Sequence, residues 1–201
     1  MQKYAVVAAV MLLTLGMMPY SPPHAHNPHT QLDDFPPANE IRTEFTETGM
    51  LNLIENSFEN FGEYILVAMH DFTYQPFADV IMKRNRSNEP FLMYLLIGAE
   101  TEGQDANHQV EVEICNQLDR IRDVQVRFLL GMNHKFGVFS NEDVDLVLTG
   151  STDWTKAALE RQDNHIVSIP DAKVVDEFTR EFWDLWNDSN VLIGCDEFDL
   201  E

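Results

Sequence analysis

The sequence predicts an α/β domain with a mixed sheet covered by helices, and three observations point to it. Between residues 63 and 130, three apolar runs of strand length alternate with segments whose apolar residues recur at helical spacing. Residues 136–148 then switch to the period-two pattern of a pleated hairpin, with Phe136, Val138, Val144, Leu146 and Leu148 as its apolar set. Last, residues 171–186 put Val174, Val175, Phe178, Phe182, Leu185 and Trp186 on one helical face. Strands that alternate with helices form sheets with helices packed on them, and 201 residues suffice for one such domain with a real core.

Taken in order, residues 1–18 carry one lysine, Lys3, and then the apolar run YAVVAAVMLLTLGMM. That run is shorter than the roughly 20 residues that cross a bilayer, so residues 1–19 are read as a secretory signal, with Ala25 a candidate cleavage point. The expectation is a secreted or periplasmic protein; the alternative is an uncleaved N-terminal segment that anchors it to a membrane. Residues 20–47 are proline-rich and polar and read as a linker, in which His24, His26 and His29 are taken as incidental to a tail rather than as metal ligands.

The domain itself is expected over residues 48–188. Met50, Leu51, Ile54, Phe58 and Phe61 fall at helical spacing over 48–62, and Gly62 ends that helix. Residues 63–72 form a strand so continuously apolar that both its faces should be buried. A helix over 75–86, a strand over 89–99 and an acidic loop over 101–107 follow. A helix over 110–121 and a strand over 124–130 lead to the hairpin, whose SNED turn is polar. Gly150 and Ser151 close the hairpin's second strand, residues 155–160 favour a short helix, and a strand reaching Val167 precedes the last helix. Residues 189–201 are an acidic tail. Cys115 lies in a helix and Cys195 in the tail, and the sequence leaves a disulfide and two free thiols equally open.

The chemistry-bearing stretch is 132–167, MNHKFGVFSNEDVDLVLTGSTDWTKAALERQDNHIV. It resembles the active-site segment of the phospholipase D superfamily, which pairs an H-x-K-x4-D motif with a G-S-x-N-W-T turn. The order of elements ahead of it also resembles that family, so the expected architecture is an α-β-α sandwich around a mixed central sheet. The resemblance implies phosphodiester hydrolysis without a cofactor or metal. In it the motif histidine attacks phosphorus, the lysine neutralises a non-bridging oxygen, and a second copy of the motif protonates the leaving group. Only one copy is present here, which implies a homodimer of the single-motif, endonuclease type.

Residue by residue, the match departs where the chemistry is hardest. Lys135 fits the lysine, but Asn133 stands at the nucleophile position, two residues before it on the same strand face. His134 is the adjacent candidate surrogate, pointed to the opposite face by alternation unless a bulge intervenes, and His70 and His165 are further candidates. Asp143, seven residues before Gly150, matches the motif aspartate through a longer hairpin. Ser151, with Lys135 and Asp153, is assigned to phosphate; Asp153 replaces the usual asparagine, and Asn164 stands where a glutamate supports the histidine.

Composition limits the ligand. Thirty-four acidic against thirteen basic residues give a formal charge of −21 and a pI near 4.4, which disfavours nucleic acid. A zwitterionic phospholipid or small phosphodiester suits this charge better. Three readings follow: a phosphodiesterase with a surrogate nucleophile, a pseudoenzyme that binds or regulates, and an unrelated α/β protein in which the GSTDWT turn, the lysine register and the element order coincide by chance.

Overall fold

The computed structural model describes residues 40–60, 63–87, 91–99, 108–141, 143–188, 190–193 and 195. The signal or anchor segment, the linker up to residue 39, Gly62, the loop over 101–107 and nearly all of the acidic tail lie outside those residues. In chain order the elements are β1 (Arg42–Glu44), α1 (Glu47–Asn60), β2 (Tyr64–Met69), α2 (Gln75–Arg86) and β3 (Leu92–Ala99). There follow α3 (His108–Leu118), β4 (Val124–Leu130), β5 (Lys135–Ser140), β6 (Asp145–Gly150), α4 (Lys156–Glu160), β7 (Ile166–Ile169), α5 (Ala172–Trp186) and β8 (Val191–Ile193). Among the described residues, no helix is long and apolar enough to cross a membrane.

The expected α/β class and mixed sheet are what the chain forms. Eight strands pair in the order β1-β7-β6-β5-β2-β3-β4-β8. β2, β3 and β4 run parallel, joined through α2 and α3, whereas β5 pairs antiparallel with β2, β6 with β5 and β7 with β6. Alternation sorts the core into two layers. Leu66, Ala68, Phe136, Val138 and Val147 bury one face against Val175, Phe182 and Trp186 of α5. Phe139 turns to the other face and meets the ring of Phe58 from α1 at 5.2 Å. Asp171 caps α5, its side chain accepting from the Lys173 and Val174 amides at 3.0 Å.

Several boundaries differ from the sequence reading, each for a tertiary reason. The strand expected over 63–72 stops at Met69, because Phe72 leaves the ladder to form a bridge with Trp154. The helix expected through 121 ends at Leu118, and Ile121 is buried in the turn that follows. The paired chain begins at Arg42, inside the expected linker, and β8 adds a strand where only tail was expected. Both are three-residue edge strands held by backbone pairing to β7 and β4, too short to carry a periodic signature.

The cysteine question closes in favour of a disulfide. Cys115 of α3 and Cys195 just beyond β8 are bonded, with their Cα atoms 5.8 Å apart and both residues buried. The bond clamps the last strand to the helical layer across 80 residues of sequence. Replacing both by serine is expected to lower stability by about 2–4 kcal/mol, read as a lower urea midpoint, with hydrogen exchange quickening first in β8. An unchanged midpoint would show that β8 needs no clamp.

Candidate functional site

Antiparallel pairing of β5 with β2 and β6 brings the C-terminal ends of β2 and β6 and the N-terminal ends of β5 and β7 to one end of the sheet. Cross-strand bonds fasten that end: the His70 amide donates to the His134 carbonyl at 2.9 Å, and the Gly98 amide donates to the His70 carbonyl at 3.1 Å. A Cβ at Gly150 would collide with the carbonyl oxygen of His165, so the glycine lets the turn after β6 lie against the start of β7.

The loop over 151–155 is sewn to the loop after β2. Trp154 donates its amide to the Asp71 carbonyl at 3.1 Å and accepts from the Thr73 and Tyr74 amides at 3.1 and 2.9 Å. Its indole is fully buried against Phe58, Phe72 and Phe77, at centroid distances of 5.6, 5.9 and 5.7 Å. Thr155 caps α4 by accepting the Ala158 amide. This anchoring fixes the neighbouring Asp153.

Lys135 lies at the centre. Its ammonium sits 2.5 Å from Asp153 Oδ1 and 3.2 Å from Asn133 Oδ1, so the three positions two and eighteen residues apart in sequence converge. Asp153 Oδ1 also accepts the Asp71 amide at 3.3 Å, and the Asp71 carboxylate lies 3.0 Å from His70 Nδ1. Asp153 was assigned to phosphate beside Lys135. In the fold its carboxylate is the ion-pair partner of the Lys135 ammonium.

The remaining assignments separate. His134 follows strand alternation: its Nε2 lies 3.4 Å from Glu181 on α5, and its ring stands edge-on to Phe136, while Lys135 turns to Asp153. Ser151 and Asn164 do meet, the serine hydroxyl donating to Asn164 Oδ1 at 2.8 Å, with His165 Nδ1 at 3.2 Å. Asn164 in turn donates to the Ala158 carbonyl at 2.9 Å, which fixes its amide orientation. Asp143 is a correction. It sits in the hairpin turn at the far end of β5 from Lys135, its amide bonded to Asn141 Oδ1 at 2.9 Å, and takes no part in the site. The longer hairpin that kept its spacing moved it there.

A cleft of about 490 Å³ opens between this sheet end and α5, lined by Asn133, His134, Lys135 and Gly150 on one wall and Glu177, Phe178 and Glu181 on the other. The sequence reading missed Asp71, Glu177 and Glu181. Nothing local marks them: Asp71 sits in a loop after a strand, and Glu177 and Glu181 lie on a helix, where acidic residues look like ordinary solvation. Among the described residues, His70, Asp71 and Asp153 form the one group whose ligand atoms all lie within 4.8 Å, the spacing a metal ion would require. Two arginines outside the cleft are otherwise engaged. Arg122 pairs with Asp123 at 3.4 Å, and Arg127 lies over the Trp186 ring at 4.2 Å, where burial lowers its pKa.

Comparison with known proteins gives the family and the fold. The family model described as "Cardiolipin synthase, PLD-like domain" matches residues 50–186. NucT from Helicobacter pylori superposes with a TM-score of 0.61 at 14% identity, covering 77% of this chain and 99% of that one. Nuc from Salmonella typhimurium, a phospholipase D family member, does so with a TM-score of 0.60 at 18% identity, covering 74% and 94%. The phosphatidylserine synthase of Haemophilus influenzae gives 0.58 at 11% identity, over 80% of this chain and 41% of that protein. No curated protein sequence matches the chain significantly.

Proposed function

The chain belongs to the phospholipase D superfamily, and from that premise we propose that it binds a phosphodiester without hydrolysing it by the family's phosphohistidine route. One observation carries the reading. The side chain at the nucleophile position, Asn133, is an amide whose oxygen accepts from Lys135 at 3.2 Å. An amide neither forms a stable phosphoryl intermediate nor exchanges protons near neutral pH, so covalent catalysis has no starting atom there. Lys135 remains as the cation for a phosphoryl oxygen, and the cleft beside it accommodates a small ligand.

The formal charge of −21 supports a phospholipid head group or another small phosphodiester over nucleic acid. The disulfide and the apolar N-terminal run support export to an oxidising compartment. A homodimer about the site, as in single-motif relatives, would lack both nucleophiles and so leave the reading unchanged.

The second reading, hydrolysis with a surrogate, is favoured by one feature: His134 lines the same cleft and has Glu181 at 3.4 Å to orient it. Titration of dimethyl phosphate, together with an assay on bis(p-nitrophenyl) phosphate, separates the two. The expected result is saturable binding weakened about tenfold or more by Lys135→Ala, the scale of a lost charge-assisted contact, and no turnover. Turnover by the parent protein that disappears in His134→Ala would replace the binding reading with the enzymatic one.

A further inference from the structure

We propose that Asp153 is a resident anion that decides which phosphate esters the site admits, favouring singly charged diesters over dianionic monoesters. The proposal rests on the phosphodiester-binding reading above and specifies its ligand class. Asp153 Oδ1 holds the Lys135 ammonium at 2.5 Å and the Asp71 amide at 3.3 Å. An ammonium and a backbone amide are the two donor types that cup a phosphoryl oxygen, and here one carboxylate oxygen takes both.

The pair is not an exposed surface contact. The side chains are 19% and 23% exposed, so water screens them only in part. Nor can the carboxylate easily swing aside, because the next residue, Trp154, is buried and bonded through its backbone to the loop after β2.

The surrounding charges act in the same direction. The Asp71 carboxylate lies beside His70, and Glu177 and Glu181 line the other wall of the cleft, Glu177 with Lys173 at 3.9 Å and Glu181 with His134 at 3.4 Å; Lys135 is the only lysine or arginine among the lining residues. An entering phosphate must share Lys135 with Asp153 inside this negative field, and each further negative charge on the ligand meets more repulsion. An asparagine at 153 keeps an acceptor for Lys135 and the Asp71 amide while removing the charge.

The test titrates the full-length protein with phenyl phosphate and dimethyl phosphate at about pH 8, where the monoester, with its second pKa near 6, is a dianion. The parent is expected to prefer dimethyl phosphate. Asp153→Asn is expected to bind phenyl phosphate about tenfold tighter than the parent, a change of about 1.4 kcal/mol, and dimethyl phosphate by a smaller factor. Adding Lys135→Ala is expected to erase both gains. Asp153→Ser serves as a second variant, judged by the same ratio of the two ligands. Equal gains for both ligands, or none, would overturn the proposal while Lys135-dependent binding of the diester by the parent left the phosphodiester reading standing. Diester binding by the parent that ignores Lys135→Ala would overturn that reading and this proposal together.

Discussion

A histidine at position 133 is expected to give the protein hydrolytic activity toward bis(p-nitrophenyl) phosphate, raising the rate on the order of a thousandfold over the parent. The backbone already places residue 133 beside Lys135, since the Asn133 amide oxygen is 3.2 Å from the ammonium. An imidazole there would stand next to the cation that neutralises the phosphoryl oxygens. The gain should fall short of the roughly millionfold loss that follows removal of a nucleophile in other enzymes. Two features limit it: Asp153 holds Lys135 at 2.5 Å, and Asn164 has no charge with which to hold an imidazolium. The combination Asn133→His, Asp153→Asn and Asn164→Glu is therefore expected to exceed the single variant. Lys135→Ala in that background should abolish turnover. A silent triple variant that still binds dimethyl phosphate would mean that residue 133 is not aligned for attack.

Trp154→Ala is expected to remove about 3–5 kcal/mol of stability. The indole is fully buried among Phe58, Phe72 and Phe77, which come from α1, the loop after β2 and α2. Its loss opens a cavity that three separate elements would have to close at once. Domain stabilities are about 5–15 kcal/mol, so the melting temperature should fall by roughly 10 °C or more. The site is expected to loosen with the core, because the Trp154 backbone bonds to Asp71, Thr73 and Tyr74 and so positions Asp153. Weaker phosphate binding even below the melting transition is the corresponding readout. A loss under about 1 kcal/mol would show that the aromatic cluster repacks around the gap.

Arg127 illustrates why the charge tally alone misjudges a surface. It counts as a cation for polyanions in composition, yet in the fold it is spent on the Trp186 ring and on the Trp186 carbonyl at 3.2 Å. Asp153 shows the same effect at the site. Its spacing in the GSTDWT turn suggests a phosphate ligand, and only the fold brings its carboxylate onto Lys135.

By itself, the sequence determined the α/β class, the helix over Gln75–Arg86, the strand over Val124–Leu130, the hairpin and the family. These rest on periodicity, turn residues and short-range spacing, all of which are local. The edge strands β1 and β8, the Cys115–Cys195 bond, the exclusion of Asp143 and the carboxylates around Lys135 were decided by tertiary structure alone. Each depends on which segments meet after the sheet closes, and pairing energies between residues far apart in the chain leave no periodic trace in the chain itself.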